Sequence, residues 1–169
     1  MSQETTVTYN SALTIREVVD LNVPDAANPI INHTGFDESG TLNSTSTPPV
    51  TKVACFEKVL VAGAATIDLT ALPGTGGGTV DGTGLKVQAI KIRNPAANTN
   101  KLHVVPGASA GYNLWGAAFH IILNPGESLL WVGVDHANVP AVAGGAKNID
   151  ISDDGAAGTE THEFQIGLG

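Results

Sequence analysis

The sequence predicts an all-β protein: a single antiparallel β-sandwich, jelly-roll-like, preceded by an extended N-terminal arm. Short runs of alternating apolar and polar residues recur from Thr51 to the C-terminus, the period of a strand with one buried face. Pro, Gly, Asn and Asp punctuate these runs every ~8–15 residues, the spacing of a sandwich or barrel. After residue 25 no segment has a helical period. No β-α-β alternation occurs either, which argues against a parallel α/β sheet.

Residues 1–50 read as the arm and 51–169 as the sandwich domain. The first ten residues, MSQETTVTYN, are polar and fit a mobile or partner-bound terminus. SALTIREVVDL (11–21) can form a short helix with Ser11 as N-cap, although its β-branched residues also allow a strand. Pro24 ends either one. NVPDAANP and SGTLNSTSTPP have linker composition, and IINHTGFDE between them is a short strand candidate. Such a segment builds no core of its own and has to lie along a domain, its own or a neighbour's.

TKVACFEKVLV reads as the first sandwich strand, with Val53, Cys55, Val59 and Val61 inward. In AATIDLTAL, Ile67 and Leu69 share one face. Gly84–Val134 carries most of the large apolar residues. Within it the apolar phase of LKVQAIKIRN slips by one residue, which predicts a bulge or bend at Ala89–Ile90. The six-residue turn to KLHVV predicts a hairpin. Asn124-Pro125-Gly126-Glu127 predicts a tight turn, with SLLWVGVD returning as the partner of AAFHIIL. KNIDIS pairs Ile149 with Ile151 on one face. HEFQIGLG closes the chain with Phe164, Ile166 and Leu168 inward, and Glu163 and Gln165 outward.

Eight Lys and Arg stand against sixteen Asp and Glu, a net charge of −8. The basic residues are scattered, and only Lys86, Lys91 and Arg93 share a strand. A protein that grips phosphate backbones needs a basic face, so neither nucleic acid nor an anionic membrane is an expected partner. The N-terminus has no signal-peptide pattern, and no apolar run reaches the ~18 residues of a membrane span. Cys55 is the single cysteine, which rules out an intrachain disulfide; its apolar neighbours predict a small buried core residue.

No segment carries reaction chemistry. The glycine-rich GTGGGTVDGTG lacks the Lys-Ser/Thr ending of a phosphate loop and precedes a strand, not a helix. Asp150, Asp153, Asp154 and Glu160 surround one turn at spacings that differ from a helix–loop–helix calcium site. His103 and His120 lie in strands and can approach each other across a sheet, but no histidine pair has HxxxH-type spacing. No G-x-S-x-G elbow is present. The expectation is therefore a non-enzyme without catalytic, cofactor-binding or metal-ligating residues.

GTGGGTVDGTGLKVQAIKIRNPAANTNKLHVVPGASAGYNLWG, the NPGESLLW turn, the terminal NIDISDDGAAGTETHEFQIGLG and the earlier INHTGFDESGTLNSTSTPPVTKV resemble small structural proteins of tailed-bacteriophage virions. The resemblance spans most of the chain. It implies a virion protein made in the host cytoplasm, most specifically a β-sandwich head-decoration (cement) protein on the outer capsid surface. Partners implied are the major capsid protein or other virion proteins and further copies of the chain, for example as a trimer. A tail, collar or fibre component is one alternative. A carbohydrate-binding sandwich for host attachment is another, and it requires Trp115 or Trp131 exposed beside polar groups. The interface candidates are Leu13, Ile15, Val18, Ile30, Ile31 and Phe36 in the arm, and Tyr112 and Trp115 in the irregular Pro106–Gly116 excursion.

Overall fold

The computed structural model describes residues 5–18, 30–33, 37–133, 139–155 and 159–169. The chain is nearly all β, and among the described residues the only helical turn is a 3-10 segment at Thr75–Gly77. It divides into two units. The larger comprises Met1–Val7 and Leu42–Gly169, the smaller Thr8–Thr41. The predicted boundary at residue 50 thus moves to residues 41–42, and the described residues 5–7 go with the larger unit.

Fourteen strands are described. In the N-terminal third these are β1 (Val7–Ser11), β2 (Ile15–Val18), β3 (Ile30–His33) and β4 (Glu38–Leu42). The helix expected over 11–21 is therefore corrected: Ser11 ends one strand and Ile15–Val18 form another, while 19–21 fall outside the described residues. The polar start is corrected as well, since β1 pairs with β4. The β-branched residues that weakened the helix assignment favour the extended backbone.

The rest of the chain forms β5 (Lys52–Val59), β6 (Ala64–Asp68), the short pair β7 (Leu72–Pro73) and β8 (Thr79–Val80), β9 (Val87–Arg93), β10 (Leu102–Pro106), β11 (Ile121–Leu123), β12 (Ser128–Val132), β13 (Asn148–Asp153) and β14 (Thr161–Leu168). Eight of these make two four-stranded sheets, ordered β12-β9-β14-β5 and β11-β10-β13-β6. Every pairing within both sheets is antiparallel. Ile90, Ile92, Phe164 and Ile166 of the first sheet join Ile67, Leu102, Val104, Ile149 and Ile151 of the second in one core cluster. Alternation put each of these residues in place, because period 2 brings one face of every strand to the core.

Two expected hairpins are absent. β9 and β10 belong to different sheets, and so do β11 and β12. Their connections are corners, not hairpin turns. Buried Asn94 holds both corners together: its side-chain amide donates to the carbonyls of Asn100 and Leu123 at 2.9 Å, and its backbone N–H donates to Glu127 O. A tight turn in sequence is compatible with either arrangement; the side-chain bonds across the corner are not visible there. The Asn124–Glu127 turn itself forms, with Gly126 at φ 88° and Glu127 N–H donating to Asn124 O at 2.9 Å.

The phase slip in β9 is real but lies one residue early. Gly167 pairs with Ala89 and Leu168 with Val87, so Gln88 is the inserted residue. The shift lets both Val87 and Ile90 reach the core. Ala89 on the opposite face is also buried, beside Gly167, where an added Cβ would lie 3.2 Å from Val7 and 3.5 Å from Val50. This strip of the first sheet is therefore covered on both faces.

β5 runs in the opposite phase to the expected one. Ala54 and Leu60 are buried and Phe56 packs against the core, whereas Val53, Cys55, Val59 and Val61 are exposed. The ladder to β14 sets Phe56 opposite Phe164 and Ala54 opposite Ile166. The aromatic pair decides the face, and a one-residue shift turns every other side chain outward.

Candidate interaction surface

In the smaller unit β2 and β3 form an antiparallel ladder in which Ile15 pairs with His33, Glu17 with Ile31 and Val18 with Ile30. The Tyr9 ring of β1 lies on Gly40 of β4, where a Cβ would come within 2.8 Å of it; only glycine fits under this ring. Leu13 donates its backbone N–H to the Asp37 carboxylate at 3.0 Å. The side chains of Leu13 and Ile15 are 69% and 56% exposed. Of the arm candidates, Val18, Ile30 and Ile31 are placed in the ladder, and Phe36 lies outside the described residues. No described residue of Thr8–Thr41 enters the core cluster.

Tyr112 is corrected from interface candidate to core residue. Its ring is fully buried, its hydroxyl donates to Pro140 O at 2.6 Å and accepts the Val87 N–H at 3.1 Å. Burial pushes its pKa up to about 12, because desolvation disfavours the phenolate. The excursion is clamped onto β13: Gly107, Lys147, Asn148 and Tyr112 exchange four backbone hydrogen bonds with Asn148 and Ala110. A Cβ on Gly107 would lie 2.5 Å from Asn148 Cβ, and one on Gly111 2.6 Å from Gly107 O. The two glycines of PGASAGY thus serve close backbone approach.

Trp115 is half-buried. It meets Phe119 edge-on at 5.0 Å and Trp131 edge-on at 6.0 Å, and all three pack against the core. Trp115 lies in the irregular Pro106–Gly116 excursion, where its ring packs partly buried against the core.

The sequence predicts Glu163 and Gln165 outward but does not show which residues join them on the outer face of the first sheet. Its register brings Ser128, Arg93, Glu163 and Glu57 into one row and Leu130, Lys91, Gln165 and Cys55 into the next. All of these but Leu130 line a shallow groove of about 640 Å³. Arg93 and Glu163 form an exposed ion pair at 3.1 Å. Exposed pairs of this kind contribute little to stability, so the row is best described as a polar surface. A strand-phase error hid the groove, since Cys55 was assigned inward.

The polar end of the core is a hydrogen-bonded cluster. Asn98 donates to Asn94 Oδ1 and Thr161 O and contacts His162 Nδ1. Burial pushes the Glu160 carboxyl up, but donors from Thr99 and Asn100 outweigh it and hold it below the usual range. His162 is fully buried, and desolvation lowers its pKa against the opposing pull of Glu160 and Asp153. The four acidic residues of DISDDGAAGTE, Asp150, Asp153, Asp154 and Glu160, are separately engaged. Asp150 accepts from Thr66 and Ala108, Asp153 from Gly155, and Asp154 from Lys101, while Glu160 belongs to the cluster just described. No group of three or more His, Cys, Asp or Glu is arranged for a metal among the described residues. No described helix is long and apolar enough to cross a membrane.

Comparison with protein-family models, with curated proteins and with solved structures finds no match to this chain.

Proposed function

We propose that the larger unit is a jelly-roll β-sandwich, that Thr8–Thr41 is an arm, and that the protein is a virion structural component, most specifically a head-decoration protein. Counting the eight strands of the two sheets in chain order, the sheets run first-eighth-third-sixth and second-seventh-fourth-fifth. Two interleaved antiparallel sheets of this order, with one shared core, support the jelly-roll reading.

The observation that carries the functional reading is the exposure of Leu13, just before β2, and of Ile15, in a two-stranded ladder none of whose described residues joins the core cluster. An isolated hairpin is marginally stable in water, and apolar side chains presented on it gain from burial against another chain. The reading supplies the partner: a capsid subunit or a second copy of this chain. Copies bound across subunit junctions stabilise the assembled shell by mass action. The net charge of −8 favours the outer surface, away from packaged DNA. The packing of Trp115 and Trp131 against the core favours this reading over a sugar-binding platform.

The test is co-sedimentation of the purified protein with expanded shells that lack it, together with the heat stability of those shells. Binding and a raised shell melting temperature are expected, both lost in Leu13→Asp/Ile15→Asp while the circular dichroism is kept. Absence of affinity for shells, with unchanged shell stability, would sink the proposal.

A further inference from the structure

We propose that His103 and His120 form a two-imidazole site for a borderline divalent transition ion of the class Zn²⁺, Ni²⁺ or Cu²⁺. His103 is the second residue of β10. Its neighbours Leu102 and Val104 are fully buried, so alternation turns His103 to the outer face of the second sheet. His120 stands immediately before β11, the strand that pairs with β10 at the sheet edge. The excursion between these strands returns the chain so that His103 Nδ1 and His120 Nε2 are 2.8 Å apart, with ring centroids at 5.1 Å and planes 34° apart.

At that distance one nitrogen donates a hydrogen and the other accepts it, since two N–H groups or two lone pairs facing each other repel. Both nitrogens are ordinary metal ligands, and an ion can replace the shared hydrogen, which passes to the other nitrogen of the donor ring so that both imidazoles ligate as neutral groups. With metal–nitrogen bonds of about 2.0–2.1 Å, the two ligands stand about 2.9 Å apart at a right angle and about 3.3 Å apart at the tetrahedral angle. The observed separation meets the first within about 0.1 Å. Exposed His120 reaches the second by a small rotation. His103 Nε2 is buried and hydrogen-bonded to nothing, which leaves Nδ1 as the nitrogen of that ring available to a ligand.

The surroundings select the class of ion. In register, His103 stands between Ile122 and Ser152. On the face of β13 that Ser152 shares, the neighbouring carboxylate, Asp150, already accepts from the Thr66 hydroxyl and the Ala108 N–H. Hard ions such as Mg²⁺ and Ca²⁺ need several oxygen ligands, whereas imidazole suits Zn²⁺, Ni²⁺ and Cu²⁺. Water fills the remaining coordination positions.

Isothermal titration calorimetry of the untagged full chain with CuCl₂, NiCl₂, ZnCl₂ and MgCl₂ tests the site. One ion per chain is expected, Cu²⁺ tightest, and no binding of Mg²⁺. Loss of an outer-shell partner alone weakens metal sites roughly 10–100-fold, so His120→Ala, which removes a ligand, should weaken binding by about tenfold or more. His120 is exposed, and unchanged circular dichroism of the variant confirms that the fold is kept. Binding that survives His120→Ala, or no binding of any of the three ions at about 1 mM, overturns the proposal.

Discussion

Phe56 and Phe164 stack across the β5–β14 ladder with ring centroids 5.5 Å apart and planes 17° from parallel. The pair fixes which face of β5 is buried. It thereby places Cys55, Glu57 and Val59 on the outer surface.

Truncating Phe164, which is fully buried, should cost about 3–5 kcal/mol. Phe56 is only partly buried and should cost less. Urea unfolding of Phe56→Ala, Phe164→Ala and the double variant should give a coupling of about 0.5–1.5 kcal/mol. Independent, additive effects would mean that the stack does not set the strand phase.

Cys55 is exposed. A maleimide or aromatic disulfide reagent should label it at full stoichiometry in native buffer. A thiol that reacts only after addition of denaturant would return it to the core.

Tyr112→Phe leaves the Val87 N–H and Pro140 carbonyl without the hydroxyl that joins them. The expected loss is about 1–3 kcal/mol. The folded pKa of about 12 exceeds the unfolded value near 10. Its stabilisation is therefore complete below about pH 10 and lost as pH rises toward 12. Alkaline melting curves should show that limb in the wild type and lose it in Tyr112→Phe.

In acid the sign reverses. His162 and Glu160 both have lowered pKa values in the folded protein. The unfolded chain binds protons first, so stability is present above the unfolded values and falls as pH drops below about 6.5 for the histidine and about 4.5 for the glutamate. Melting temperature measured from pH 7.5 to 3 should fall in both ranges. His162→Gln should flatten the upper part of the curve and Glu160→Gln the lower. A wild-type curve flat between pH 7 and 5 would contradict the burial of His162.

Gly107→Ala drives a methyl into Asn148 and should cost about 1–3 kcal/mol. At Gly144 nothing lies within 4 Å of an added Cβ, so Gly144→Ala should change the melting temperature little. Equal effects at the two positions would argue against the clamp on β13.

By itself the sequence determined the all-β class, most of the strands, the inward residues of β6, β13 and β14, and a phase slip in β9. Each of these is local, because alternation and turn residues act within one segment. The approach of His103 and His120 was also legible, as two histidines in neighbouring strand candidates. Only the tertiary structure decided which strands share a sheet. A turn permits a hairpin or a corner, and Asn94 bonding to Asn100 and Leu123 belongs to the corner. It likewise decided the face of β5, because Val53, Cys55 and Val59 compete with Ala54, Phe56 and Leu60 on equal terms until Phe164 stands opposite Phe56. Tyr112 looked like a loop residue for the same reason. Its burial depends on Val87 and Pro140, which lie 25 and 28 residues away, and no local pattern encodes a contact at that distance.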